Sequence, residues 1–298
     1  MRTPVRGLAA VAVAAAALVS ACGSSSGGGG SAVSAAPSQA VNTSIASSVP
    51  AKFKTSGLTI ATDPSYAPNE FLGTNGTTIT GMDVDLANAL GQVLGVKVTV
   101  VKAGFDAIIP GLASGKYDVG LSSFTDTLER QKQVDFVTYF SAGTSFFTKA
   151  SGGATVTSLD DLCGKKVAVE KGTTQETDAT AQTAKCKAAG KAGVSVQSYP
   201  DQNGANLALS AGRADLSMAD SPVADYQVKL SKGQFKTVGT PYGTAPYGIA
   251  LPKNSGLSTP VLGAVKELIA NGTYKTVLTK WGVADGAITD PKINGATS

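Results

Sequence analysis

The chain has 298 residues, of which 42% are hydrophobic and 15% charged, and a formal net charge of +4. Removing a leader that carries Arg2 and Arg6 leaves 23 basic and 21 acidic side chains. The elevated isoelectric point therefore says little about partners, and no basic stripe interleaves with aromatics as a nucleic-acid surface would require. Histidine is absent, which removes the commonest general base and the commonest metal ligand. Three cysteines are too few and too scattered for a zinc or iron–sulfur site. No metal, cofactor or nucleic acid is expected.

Arg2 and Arg6 precede an apolar run from Leu8 to Val19, small residues and then Cys22. Residues 1–21 read as a secretory signal peptide, too short to span a membrane. Val19-Ser20-Ala21-Cys22 resembles the bacterial lipobox, which implies cleavage before Cys22 and lipidation of its sulfur, palmitate included. The alternative is an ordinary signal peptide with an incidental cysteine. Gly23 to about Pro50 is rich in Gly, Ser and Ala and lacks apolar periodicity. Residues 22–51 are thus expected to be a lipidated cysteine and a flexible tether, with a reach of roughly 30 Å. The expected location is the extracytoplasmic side of the cell membrane, held there by the lipid. Cys163 and Cys186 remain as an even pair in an oxidising setting. A bridge would close a loop of about 24 residues and contribute roughly 3 kcal/mol. The alternative is two buried free thiols.

From residue 57 strand-like and helix-like pieces alternate. Leu58–Ala61 reads as a strand. Leu86, Leu90, Val93 and Leu94 share a helix face, with Gly95 near the end. Val96, Val98 and Val100 alternate as a strand. Phe105–Leu112 reads as a helix and Tyr117–Leu121 as a strand. The pattern restarts after about residue 156: strand Lys166–Val169, helix Thr174 to about Ala189, strand Val194–Tyr199, helix Asn203–Ala211, strand Asp215–Met218. Ser221-Pro222 reads as an N-cap and first turn. Thr259-Pro260 opens a helix that Gly272 stops. Alternation of this kind predicts open α/β sheets with right-handed crossovers, in two blocks and hence two lobes. Ligands of such sheets bind beyond the carboxyl ends of the strands.

Those ends carry Asp63 and Tyr66 after the first strand, and Ser122, Ser123, Thr125 and Arg130 after Tyr117–Leu121. Glu170, Gly172, Thr174 and Gln175 follow Lys166–Val169, and Asp220 follows Asp215–Met218. Singly each has a plain explanation: a helix cap for the hydroxyls, a surface ion pair for Arg130, a turn for Asp220, core packing for Tyr66 and Phe105. Together they match the capture of a zwitterion. A carboxylate takes a bidentate guanidinium and backbone N–H groups at a helix start, which Arg130 and the turn Gly172–Thr174 supply. An α-ammonium takes a carboxylate and hydroxyl acceptors, which Asp220 with Ser123 or Thr125 supply. Aromatic faces hold an aliphatic stem or a cation.

This set resembles the polar amino-acid-binding proteins of ABC importers, solute-binding proteins family 3, over about residues 52–285. The resemblance is carried by Asp63-Pro64-Ser65-Tyr66-Ala67-Pro68, Gly81-Met82-Asp83-Val84-Asp85-Leu86, Phe105-Asp106-Ala107-Ile108-Ile109-Pro110 and Ser122 to Arg130 running into Val134-Asp135-Phe136. Lys171-Gly172-Thr173-Thr174-Gln175 and Ala211-Gly212-Arg213-Ala214-Asp215 complete it. It implies that Asp63 contacts the ligand side chain, that Tyr66 and Phe105 sandwich it, and that Arg130 and Thr174 hold the α-carboxylate. Asp220, Ser122, Ser123 and Thr125 would hold the α-ammonium. The chain departs from the family at Asn69, where Phe is common, and at Glu170, often apolar.

The resemblance further implies a two-lobed periplasmic-binding-protein-like fold of type II with two hinge crossings, near residues 141–146 and 239–245. Lobe 1 is expected over 52–142 and 244–298, and lobe 2 over 143–243. Closure on the ligand would be a population shift. The expected partners are a free amino acid and a membrane ABC permease, with the binder a monomer and not an enzyme. Asp63 and Glu170, with Asp126 near them, predict a cationic or amide side chain in the ligand. Two alternatives are an exported dehydratase on the same scaffold, with Glu170 as its acid, and the sensing lobe of a signalling system.

Overall fold

The structure, a computed structural model, describes residues 38–296. The signal peptide at 1–21, Cys22 and the tether as far as residue 37 lie outside the described residues.

Within the stretch expected to be tether, residues 43–47 and 51 are helical, as Thr43–Ser47 (α1) and the start of Ala51–Ser56 (α2), so the stretch up to residue 51 is not all tether. Ile45 lies on α1, Val49 in the link between the helices and Phe53 on α2. Val49 and Phe53 are buried, and Ile45 packs on the same core. Asn42 caps α1 by accepting from Ile45 N, and its own N–H donates to Val93 O at 3.0 Å.

The remaining elements run β1 (Leu58–Thr62), β2 (Ser65–Tyr66), β3 (Glu70–Leu72), β4 (Ile79–Thr80), α3 (Met82–Leu94), β5 (Val98–Lys102), α4 (Phe105–Ala113), β6 (Val119–Gly120), α5 (Leu128–Gln131) and β7 (Val134–Lys149). The second block holds β8 (Lys166–Glu170), α6 (Thr174–Ala188), β9 (Ser195–Tyr199), α7 (Gln202–Ser210), β10 (Leu216–Asp220), α8 (Ser221–Leu230) and β11 (Phe235–Pro252). α9 (Ser258–Ala270) and α10 (Thr273–Trp281) follow. Strands and helices fall where periodicity places them, within a few residues. At α8 the N-cap is Asp220 rather than Ser221, and Pro222 sits in the first turn.

Two separate open sheets are expected from the alternation; one continuous sheet of eight strands is observed, in the order β5-β1-β6-β11-β7-β10-β8-β9. β1 pairs in parallel with β5 and β6, and β8 in parallel with β9 and β10. β7 and β11 run antiparallel between these halves over 16 and 18 residues, with register shifts between Val238 and Tyr242 and between Tyr242 and Ala245. Neither long strand is apparent in the sequence. β7 is buried almost throughout, which erases the period-two alternation. β2, β3 and β4 form a second, small antiparallel sheet.

One apolar cluster joins α3, α9 and α10 to the β5-β1-β6 half, and another lies around β8, α6 and β10. The second contains Cys186, bridged to Cys163 with Cα atoms 5.5 Å apart. A third, built on Tyr66, Phe105, Ile108, Phe124, Phe136, Phe147 and Val223, draws on residues of both halves.

Candidate functional site

The strand ends converge. A narrow cavity is lined by Tyr66, Phe105, Ser123, Thr125, Arg130, Thr174, Gln175 and Asp220, all singled out in the sequence, and by Thr173, Gln202, Ala219 and Val223, which are not. Gln202 lies just beyond β9, where strand-end logic points to it. Thr173 belongs to the turn Gly172–Thr174 that the sequence assigns to a carboxylate, without a role of its own there. Ala219 and Val223 carry no polar signal. The cavity measures about 20 Å³, room for a water molecule rather than an amino acid.

Arg130 lies in the last turn of α5, whose N-cap Thr127 accepts from Arg130 N. Its guanidinium donates through Nη1 to Thr125 O at 2.9 Å and through Nη2 to Gly172 O at 3.0 Å. It sits 5.2 Å from the Phe105 ring centre and 5.4 Å from that of Phe124, within range of a cation–π contact. Burial lowers its pKa, with Asp220 and then Tyr66 opposing the shift. Gly172 has φ +81°, and Thr173 then caps α6 by accepting from Glu176 N. The N-terminus of that helix, the positive end of its dipole, therefore faces the cavity.

Asp220 ends β10. It does not cap α8 with its side chain. Its Oδ1 accepts from Gln175 Nε2 at 2.6 Å and its Oδ2 from the Tyr247 hydroxyl at 2.6 Å. Burial raises its carboxyl pKa, against those two bonds and the Arg130 charge. Cation and anion thus stand on one small cavity. Tyr66 and Phe105 do not form parallel walls: their rings meet edge to face, 5.7 Å apart.

Three expected contacts lie behind this wall instead of on it. Asp63 is buried, and its Oδ2 accepts from Phe105 N at 3.0 Å. Burial raises its pKa, the bonds from Ser65 and Phe105 oppose this, and Asp201 adds to it. Ser122 is fully buried. Its hydroxyl accepts from Asp63 N at 2.8 Å and donates to Glu70 Oε1 at 3.2 Å. Glu170 is 1% exposed. The buried Tyr66 hydroxyl interacts with this carboxyl, and no other described residue donates to either of its oxygens. Burial, reinforced by the charge of Asp63 and opposed by Tyr66, pushes the Glu170 carboxyl up to about 9. Asp126 is remote from this end of the site: its carboxylate accepts from Gln131 Nε2 and from Ala296 N. A residue's place after a strand fixes its neighbourhood but not the direction of its side chain, so these positions could not be separated by spacing.

Asn69, where the sequence departs from the common pattern, is fully buried and donates through Nδ2 to Ser123 Oγ at 2.9 Å. Ser123 itself has φ +52°, an uncommon backbone state for a residue with a side chain and one that clusters at functional sites.

Three similarities bear on this arrangement. The arginine-binding protein ArgT of Corynebacterium glutamicum is 35% identical over 213 residues, covering 71% of this chain and 69% of that protein. The solved structure of an ancestral arginine-binding protein bound to arginine is 40% identical with a TM-score of 0.69, covering 75% of this chain and 97% of that one. AncCDT-1, an ancestral amino acid-binding protein and a precursor of cyclohexadienyl dehydratase, is 35% identical with a TM-score of 0.69, covering 77% and 97%. The fold is accordingly the two-lobed, periplasmic-binding-protein-like α/β fold of type II. Bacterial extracellular solute-binding proteins, family 3, match residues 58–284, the stretch that holds every cavity-lining residue, and the chain belongs to that family.

Proposed function

We propose that this protein is the extracytoplasmic, lipid-anchored receptor of an ABC importer, that it binds a cationic amino acid, arginine first, and that it passes this ligand to a membrane permease after closing around it. The pairing of Arg130 with Asp220 on one cavity carries the reading, because an α-carboxylate and an α-ammonium need those opposite charges. For the side chain, the support is the set of buried acceptors beyond Tyr66. An unpartnered buried oxygen costs roughly 1–3 kcal/mol. A guanidinium brings five N–H donors to Glu170, Asp63 and Tyr66. The relatives named for arginine support the same choice, and an amide such as glutamine is the second candidate.

The lobes of this reading are 52–142 with 244–298 and 143–243, now with 38–51 added to the first, and the crossings lie at 141–146 and 239–245. Support comes from β7 and β11, the strands that run between the two halves of the sheet among the described residues, and from the register shifts that interrupt β11 at 238–245. Contacts between the proposed lobes close the cavity: Arg130 to Gly172, Gln202 N to Ser65 Oγ at 3.2 Å, and Lys171 to Asp106 at 2.9 Å. Ligand entry requires these to part. Moving an open:closed ratio from 99:1 to 1:99 takes about 5.5 kcal/mol of differential affinity. The lipid on Cys22 and a monomeric state belong to the same proposal.

A thermal-shift screen of the chain from residue 38 against the twenty amino acids, ornithine and citrulline tests it. Binding to the folded state alone contributes about 2.7 kcal/mol at a hundredfold excess over Kd. A rise confined to cationic or amide amino acids, lost in Arg130→Ala and Asp220→Ala, is expected. Tighter binding of glutamate than of both glutamine and arginine would overturn the side-chain assignment. One observation favours a second reading. A buried Glu170 that stays protonated at neutral pH has the state a general acid needs, and AncCDT-1 is the precursor of a dehydratase. Turnover of prephenate or arogenate, abolished by Glu170→Gln, would establish it.

A further inference from the structure

Behind Ser122 and Ser123 lies a carboxyl pair that the binding scheme above does not use. Glu70 on β3 and Asp83 in the first turn of α3 are 0% and 1% exposed. Both reach Ser123, Glu70 at its hydroxyl and Asp83 at its N–H, so the two carboxyls stand on one residue and each bears on the other's titration. We propose that Glu70 and Asp83 share one proton, and that this buried pair is the positioning device that presents the Ser123 hydroxyl to the cavity as an acceptor for the ligand's α-ammonium group. The proposal rests on the zwitterion reading of the site.

The four carboxyl oxygens decide where the proton goes. Glu70 Oε1 accepts from Ser122 Oγ at 3.2 Å and Oε2 from Ser123 Oγ at 3.3 Å. Asp83 Oδ2 accepts from Ser123 N at 3.1 Å and from the Tyr139 hydroxyl at 2.9 Å. Asp83 Oδ1 alone receives no donor among the described residues. A proton held by Glu70 toward that oxygen completes the set and leaves the pair with a single negative charge. Two ionised carboxylates side by side would be costly in this place. The titratable groups acting on the pair are Asp63 just beyond β1, Tyr66 on β2, Tyr139 on β7 and Tyr247 on β11, and none is a cation. Burial, and then Asp83, raise the Glu70 pKa well above its ordinary value. Asp83 rises less, because Tyr139, Glu70 and the Ser123 N–H all donate to it.

The direction of this proton sets the polarity of the site. Ser123 Oγ already accepts from Asn69 Nδ2. With Glu70 turned to Asp83, the Ser123 hydrogen goes to Glu70 and a lone pair remains for the cavity. With the Glu70 proton turned to Ser123 instead, the hydroxyl would donate into the cavity and repel an ammonium. The N–H of Ser123, held by Asp83, also secures the left-handed backbone that brings this residue to the cavity wall.

The test uses infrared spectra and titration calorimetry on the mature chain at neutral pH, with L-arginine and its deaminated analogue δ-guanidinovalerate as probes. A protonated-carboxyl band lost in Glu70→Gln and kept in Glu170→Gln is expected; a spectrum unchanged by Glu70→Gln overturns the shared proton. Glutamine reproduces a protonated glutamate, so Glu70→Gln should keep arginine affinity within roughly threefold, under 1 kcal/mol. The double variant Glu70→Gln/Asp83→Asn loses the charge. It should weaken arginine by roughly tenfold or more and leave the deaminated analogue unchanged. Equal weakening of both probes marks a merely structural role and overturns the ammonium assignment. If the wild type binds neither probe, the zwitterion reading fails and the ammonium assignment with it, while the infrared result still decides the proton.

Discussion

Arg130 Nη2 stands 3.0 Å from the carbonyl oxygen of Gly172, a bond across 42 positions of sequence that ties the segment after β6 to the turn opening α6. The guanidinium and the helix N-terminus, the two groups best suited to a carboxylate, are held on one cavity by it. Two of the five guanidinium N–H donors are used by backbone carbonyls, and the others remain for an anion bound in the cavity.

Arg130→Lys keeps the charge but loses the planar fork. Amino-acid affinity should fall by about ten- to a hundredfold, roughly 1.4–2.7 kcal/mol. The thermal midpoint of the free protein should hardly move, because Arg130 is half-buried and bonds only to carbonyls. Calorimetry with arginine, beside melting of the free protein, separates the two effects. Undiminished binding would remove Arg130 from the site.

Glu170 gives the free protein a pH dependence of definite sign. Its carboxyl is raised from 4.5 to about 9, so between those values the folded chain holds a proton that the unfolded chain has released. Stability is then fully present below 4.5 and falls as pH rises toward about 9, by up to about 1.4 kcal/mol per pH unit. Glu170→Gln should remove this slope and gain on the wild type as pH increases. Urea unfolding of both proteins at the two ends of the window reads it out. Parallel curves would mean that Glu170 is ionised in the free fold.

The segment before residue 52 should contribute to stability. A chain starting at residue 52 lacks α1 and Val49, and should unfold at lower urea than one starting at residue 38. Phe53→Ala should cost about 3–5 kcal/mol, as truncations of buried aromatics do. Coincident unfolding curves for the two starts would return this segment to the tether.

The bridge between Cys163 and Cys186, 23 positions apart, should contribute about 3 kcal/mol by restricting the unfolded chain. The double variant Cys163→Ala/Cys186→Ala should lower the thermal midpoint and leave arginine affinity unchanged, since neither cysteine lines the cavity. A change in affinity would show that the packing around β8 reaches the site.

The sequence by itself determined the α/β alternation, the start of the second block and the strand ends on which Ser123, Thr125, Arg130, Thr174, Gln175 and Asp220 stand. These follow from local preferences: apolar spacing, cap residues and a glycine turn that opens a helix. The pairing of opposite charges on a few strand ends also points to a zwitterion. The tertiary structure decided what spacing does not encode. It joined both blocks into one sheet through β7, whose burial hides its alternation, and β11, which is largely exposed over its first half, buried near its end and broken by register shifts. It turned Asp63, Ser122 and Glu170 behind the aromatic wall and sent Asp126 elsewhere. It brought Glu70 and Asp83 against Ser122 and Ser123 from segments some 40 to 53 positions away. Side-chain direction and the meeting of distant carboxyls are set by packing and by the donors each oxygen finds in a water-poor interior, and those are properties of the folded molecule alone.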